Sequence, residues 1–258
     1  MSAGPPALSI TELEHRAART WLGPRCERMG DWLLRAAEGF TGRANSALAA
    51  GDPGRPLPDA VDSVVAWYAG LGQRAMIAVP SAMTGPGGEL DRLLDERGWS
   101  HRDGPAIVMT AAPGTIAGRA RPDGPPVSIA GEPDEAWLAR YHYRGQALPP
   151  VARRLLLSAP WQAFASVRER GATIAIGRVA ADAGWAGLTA IETDPAHRRR
   201  GLATAVSAAL AAAAVSRGAA GLYLQVEDEN TTARRLYAGM GFASHHRYHY
   251  RVAGEGPS

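Results

Sequence analysis

Cysteine is nearly absent from this chain. Of 258 residues only Cys26 carries a thiol, so no disulfide can close within the chain and a disulfide-stapled secreted scaffold is excluded. Flanked by Arg25 and Glu27, Cys26 reads as a half-buried small residue rather than a nucleophile. Aromatic residues are also scarce, at 7% with three phenylalanines. The tryptophans at 21, 32, 67, 99, 137, 161 and 185 sit mostly in apolar patterns and read as core, with Trp161 and Trp185 placed to line a cleft. Long hydrophobic runs are missing too: the longest stretch of low charge, residues 201–216, is mostly alanine and too weakly apolar to span a bilayer. The opening MSAGPPALSI has neither the basic flank nor the apolar stretch of a secretory signal. The expectation is a cytoplasmic protein without a membrane partner. Charge of one sign is not concentrated either, since 28 basic residues against 25 acidic ones leave a net charge of +3. Only His197–Arg200 forms a like-charged block, so no nucleic-acid partner is expected. No Walker sequence is present. GLGQRA at 70–75 does spell G-x-G-x-x-A, but it follows a helix and precedes a strand, the reverse of a dinucleotide fold, and reads as a helix stop.

What is present is a globular composition, 46% apolar and 21% charged. The glycine- and proline-rich stretch AAPGTIAGRARPDGPPVS (111–128) separates two patterned regions. It sets expected domains of 1–112 and 127–258 with a linker at 113–126. Before it, helices are expected at 10–21, 59–72 and 88–99, with strands around 32–48, 74–80 and 106–110. After it come a strand at 127–131, helices at 134–146 and 151–159, and three strands spanning 162–194. An alanine helix, a strand at 221–228, a helix at 231–242 and a strand at 245–252 complete the pattern. Several adjacent strands followed by strand–helix–strand alternation point to an α/β (α+β) fold with a mixed central sheet flanked by helices. LLDERGW (93–99) and LYAGMGF (236–242) each end a helix on glycine and an aromatic and precede a last strand. That echo points to duplication, with chance as its rival.

The chemistry concentrates in DPAHRRRGLATAVSAALAAAAVSRG (194–218). Pro195 stops the preceding strand, and Arg198-Arg199-Arg200-Gly201-Leu202-Ala203 leads into the helix. A helix start has unpaired N–H groups and a partial positive charge. Gly201 and Ala203 keep side chains clear of that backbone, and the arginines add charge, so the turn reads as a phosphate cradle. The rival reading is a solvated helix start. Against it stands the cost of cations there, about 0.3–1 kcal/mol each.

Arg198-x-x-Gly201-x-Ala203 after a strand, then LYLQV, Asn230 and LYAGMGF, resembles the GNAT superfamily of acetyl-CoA-dependent N-acetyltransferases over the whole second half. The resemblance implies a GNAT fold, with acetyl-CoA as co-substrate and no metal. It implies that Arg198, Arg199, Arg200, Gly201, Leu202, Ala203 and Thr204 hold the coenzyme A pyrophosphate. Ile191, Glu192 and Thr193 would hold the pantetheine and offer a main-chain N–H to the thioester carbonyl. Asn230 and Ala233 would contact the cofactor arm, and Tyr237 would protonate the leaving thiolate. The first half is similar to a worn GNAT unit: it keeps LLDERGW, but Leu94 stands where Tyr237 does, and no Arg-x-x-Gly-x-Ala precedes its helix at 59–72. The chain is thus identified as a tandem type with a degenerate first half whose role is structural.

Acyl transfer to an amine needs a neutral amine, a donor for the oxyanion and an acid for the sulfur. A phenol suits the last role. The base is less plain: the GNAT resemblance implies a carboxylate or histidine early in WAGLTAIETD, or a glutamate in LYLQV, and this chain has Gly187 and Thr189 in the first and Gln225, which cannot accept a proton, in the second. Glu227, two residues after Gln225, and Glu192, near the acetyl end, are candidates; each also reads as an ordinary surface carboxylate. With no strong base, an α-amine is a better acceptor than a lysine. The expected activity is transfer from acetyl-CoA to a primary amine, of a small molecule or a protein α-amine, by direct attack in a ternary complex. The alternative is a non-catalytic acyl-CoA-binding regulatory protein of the same fold. Either way the partners are acetyl-CoA and an amine, in a monomer or homodimer, with acceptor choice made near 145–160. HHRYHYR (245–251) places His245 and His249 on one strand face without an acidic neighbour in sequence, so a terminal strand explains it better than a metal site.

Overall fold

A computed structural model describes residues 4–83, 88–142 and 148–254, with Asp103 described by its backbone alone. In chain order the first elements are α1 (Ile10–Arg19), β1 (Arg25–Met29), β2 (Trp32–Ala36), β3 (Ala47–Leu48), α2 (Leu57–Ala69), β4 (Met76–Ser81), α3 (Glu89–Glu96) and β5 (Ser100–Ala111). Next come α4 (Pro113–Ala117), β6 (Ser128–Ala130), α5 (Glu135–Arg140), α6 (Pro150–Leu156), β7 (Trp161–Glu169), β8 (Ala172–Asp182) and β9 (Trp185–Thr193). Last are α7 (Leu202–Ser216), β10 (Gly221–Glu227), α8 (Thr231–Met240) and β11 (Ala243–Val252). No helix among the described residues is long and apolar enough to cross a membrane.

The chain divides into two compact units that are not contiguous in sequence. One comprises residues 8–108, 226–230 and 244–258; the other comprises 1–7, 109–225 and 231–243. This partition differs from the contiguous boundary expected from the sequence in two ways. The stretch expected as a linker carries α4, which packs on α7. The chain's last strand joins the sheet of the first unit. Composition marks where a chain turns, but strand exchange depends on which edge accepts the strand, and no local pattern records that. The helix expected at 134–146 is also shorter: α5 ends at Arg140 because Tyr141 turns extended, while residues 143–147 lie outside the described residues.

In the first unit the strand order is β1-β2-β3-β4-β11-β5. A capping box starts α1: Ser9 Oγ accepts from the Glu12 amide, and Glu12 accepts from the Ser9 amide at 2.8 Å. Trp32, Val61, Val64, Ile77, Leu94 and Trp99 fill the core beneath α2 and α3. β11 pairs antiparallel with β4 and presents opposite faces to different helices. His246, fully buried, contacts Glu14 Oε1 of α1 at 2.8 Å, while His249 contacts Asp91 Oδ1 of α3 at 2.8 Å. The histidines therefore do have acidic partners, supplied by tertiary packing that sequence proximity concealed. Cys26 is exposed as a residue on β1, while partial desolvation of its thiol raises its pKa.

In the second unit the order is β10-β9-β8-β7-β6, antiparallel from β6 to β9 and parallel between β9 and β10. Alanine gives α7 high helical propensity and a slim profile, so it lies close across β7, β8 and β9. One close approach is at Gly177 of β8. A Cβ there would stand 2.6 Å from Ile191 Cδ1 and Val206 Cγ1 and 2.9 Å from Leu210 Cδ1. Gly177→Ala is accordingly expected to cost about 1–3 kcal/mol, read as a lower urea midpoint with an unchanged slope. On the other face, Trp137 of α5 donates to the Ala165 carbonyl at 3.0 Å and α6 covers β8. Trp161 lines an open groove of about 680 Å³ between β6, β7 and α7, with the Arg217 guanidinium 5.3 Å above the centre of its ring, whereas Trp185 is buried.

Candidate active site

The site in the second unit grows from a strand irregularity. β9 pairs in parallel with β10 only from Trp185 to Leu188. Just beyond, Ala190 takes a φ of 53°, and the register with β8 shifts between Ile176 and Arg178. An alanine in the left-handed region is strained and persists only where its surroundings impose it. The bulge re-aims Ile191, Glu192 and Thr193, the residues expected at the acetyl end.

Gly187 also has a tertiary cause. A Cβ there would lie 2.4 Å from the ring of Tyr223, its cross-strand partner, so the aromatic fills the space a basic side chain would need. Glu192 is partly buried, and its two carboxylate oxygens accept from the His142 amide at 3.1 and 3.3 Å. Burial pushes its pKa up, against the lowering effect of that N–H and of the His142 and Arg140 charges.

After β9 the backbone is held by Asp194. Its carboxylate accepts from the Ala196 amide at 2.9 Å and pairs with Arg140, and these interactions, with His197, hold its pKa below the ordinary carboxylate value. A short 3-10 turn over Pro195–His197 leads to Arg199 and Gly201, with φ of 63° and 76°. Gly201 is the N-cap of α7, and no side chain caps the helix start. Among the described residues, nothing lies within 4 Å of where its Cβ would be. The amides of Leu202, Ala203 and Thr204 thus begin the helix beside open space, the arrangement that suits an anionic oxygen.

The three arginines do not act alike. Arg200 makes a two-pronged pair with Glu169 at 2.7 and 3.1 Å, and His197 adds a contact to the same carboxylate at 3.3 Å. Part of the like-charge cost that argued for a bound anion is therefore offset by the protein itself. Arg198 and Arg199 are exposed and make no ion pair among the described residues. Thr193 Oγ1 is buried without a hydrogen-bond partner among those residues.

Ala233 and Tyr237 stand one helical turn apart on α8. The Tyr237 ring packs edge-on against Phe242 at 5.8 Å, and burial pushes the phenol up to about 12. Glu227 and Asn230 group with the first unit, where Glu227 is exposed and its carbonyl accepts from the Asn230 amide at 2.9 Å. In that unit, the turn before α2 is already filled by acids. Asp31 accepts from the Asp52 amide at 2.9 Å, Asp52 accepts from the Gly54 amide at 2.8 Å, and Pro53, Pro56 and Pro58 have no N–H to offer. Sequence reasoning did not single out the Ala190 bulge, Arg178 or the His142 amide. Only Gly177 and Arg178, an odd pair inside an apolar strand, gave a readable signal.

Residues 8–251 match the family model described as probable histone acetyltransferase Rv0428c, C-terminal. The chain is 30% identical to the probable histone acetyltransferase Rv0428c of Mycobacterium tuberculosis, over 95% of this chain and 74% of that protein. It is 28% identical to an uncharacterised N-acetyltransferase, YobR, of Bacillus subtilis, over 94% of this chain and 98% of that one. Among solved structures, a GCN5-related N-acetyltransferase from Kribbella flavida superimposes with a TM-score of 0.70 at 18% identity, covering 96% of each chain. A tandem GNAT protein from the clavulanic acid biosynthesis pathway gives 0.68 at 15% identity, covering 98% of this chain and 90% of that one. The fold is the GNAT fold, and the chain belongs to the Rv0428c C-terminal family of GNAT-type N-acetyltransferases, which makes it an acyltransferase.

Proposed function

We propose that the chain transfers the acetyl group of acetyl-CoA to a primary amine, of a small molecule or a protein α-amine, by direct attack in a ternary complex. The observation that carries this reading is the uncapped start of α7 at left-handed Gly201, following a bulged strand that ends beside a half-buried carboxylate. The amides of residues 201–204 suit a diphosphate, and open space at Gly201 leaves room for one. The partnerless hydroxyl of Thr193 fits a polar cofactor arm. Arg198 and Arg199 would add charge, with Arg200 held back by Glu169.

The amine nitrogen attacks the thioester carbonyl, a C–N bond forms, and a main-chain N–H of residues 191–193 donates to the oxygen as it gains charge. Glu192 takes the proton released by the amine. Collapse of the intermediate breaks the C–S bond. Burial raises the Tyr237 phenol to about 12, so it stays protonated and can donate without ionising. Its role is to donate a hydrogen bond to the departing sulfur, which then takes its proton from water.

Acceptor class follows from proton affinity. At pH 7.5 about a third of an α-amine of pKa about 7.7–8.0 is neutral, against about one in a thousand lysine side chains. A single carboxylate serves the first far better. Labelled acetyl transfer against a panel of α-amino and ε-amino compounds tests the assignment. Tyr237→Phe is expected to lower kcat about 10- to 100-fold, the worth of one charge-assisted hydrogen bond, with acetyl-CoA affinity retained. An unchanged kcat would remove Tyr237 from the chemistry.

A further inference from the structure

The acetyl-transfer reading assigns residues 191–193 to the thioester carbonyl, and what holds that backbone in place is a separate question. Arg178 of β8 is wholly buried, at 0% exposure. It is the cross-strand partner of Thr189 and the last residue in register before the shift to the bulge. Its Nε–H donates to the Leu156 carbonyl at the end of α6 at 2.8 Å, and Nη1 makes a longer contact, 3.4 Å, to Thr189 Oγ1. The helix end carries partial negative charge, so a cation belongs there. A guanidinium serves both contacts at once because its donors point in fixed, divergent directions, which an ammonium cannot reproduce.

The opposite face of the same bulge is closed by packing. Ile191, Val206 and Leu210 crowd the position over Gly177, leaving no room for even a methyl group. The residues flanking the strained Ala190 are therefore held from both sides: Ile191 packs over Gly177 with Val206 and Leu210 of α7 on one face, and Thr189 meets Arg178, itself tied to α6, on the other.

We propose that Arg178 is a positioning residue for acetyl transfer, fixing the Ala190 bulge so that the amide following it meets the thioester carbonyl. The proposal rests on the acetyl-CoA reading but concerns the carbonyl contact alone, so the two fail differently. Coenzyme A carries the same diphosphate and lacks the carbonyl. Wild type is expected to bind acetyl-CoA about 2- to 10-fold more tightly than CoA, the net worth of one hydrogen bond.

Isothermal titration of both nucleotides into wild type, Arg178→Met, Arg178→Lys and Thr189→Val, each with its own melting curve, gives the decisive ratio. Arg178→Met is expected to bring the two affinities together by weakening acetyl-CoA only, leaving CoA within about twofold of wild type. Arg178→Lys is expected to fall between, and Thr189→Val to lose part of the preference while keeping its fold. A merely structural arginine would lower the melting temperature or weaken both nucleotides alike. A folded Arg178→Met that keeps the wild-type ratio overturns the proposal, as does equal affinity in wild type. If Arg178→Met does not fold, a wild-type ratio in both Thr189→Val and Arg178→Lys overturns it instead. Failure of wild type to bind either nucleotide strikes the acetyl-CoA reading itself.

Discussion

Gly201→Glu is expected to abolish the stabilisation that acetyl-CoA confers. At a concentration about 100 times its dissociation constant, a ligand bound only by the folded state adds about 2.7 kcal/mol. For a chain of this size that raises the melting temperature by roughly 5–10 °C. The glutamate acts twice: its backbone must hold a φ of 76°, which disfavours side chains, and its carboxylate enters the open space proposed for the diphosphate. Gly201→Asn separates these effects. Asparagine tolerates the left-handed region and brings no charge, so it should melt near wild type and keep a reduced shift with acetyl-CoA. Equal shifts in wild type and Gly201→Glu would move the nucleotide away from α7.

Glu192→Gln is expected to lower kcat about 10²- to 10⁴-fold, the usual range for a general base, while leaving nucleotide affinity intact. The amide oxygen can still accept from His142, so the local backbone has no reason to move. The pH dependence carries the sign. Burial raises the Glu192 pKa, and a base works only when ionised. In wild type the rate should therefore fall as pH drops through a value above the ordinary carboxylate range. In Glu192→Gln that limb should vanish, leaving only the limb from ionisation of the amine itself. A wild-type acid limb retained by the glutamine variant would assign the proton to another group.

Arg200 shows how a sound local argument can be incomplete. Cations at a helix start do call for compensation, and the sequence shows no acid beside the three arginines. Glu169 lies on β7, thirty-one positions earlier, and reaches Arg200 only after β7, β8 and α7 have packed. The same holds for His246 with Glu14 and for His249 with Asp91, pairs separated by most of the chain. Gly187 was legible as a missing base but not as a space filled by Tyr223, since only the register of β9 against β10 brings the two together.

The sequence by itself determined the kind of element over much of the chain, though not at β1 or at α4, which lies in the stretch expected as a linker. Alanine sets a helix over 202–216, apolar runs set β7, β8 and β9, and Pro195 with Gly201 sets the turn between them, because these depend on backbone preference and on side chains a few residues apart. Tertiary structure alone decided that β11 joins β4, that Ala190 bulges, and that Arg178 links α6 to that bulge. Each is a contact between segments distant along the chain, set by steric fit and by the need to partner buried polar groups.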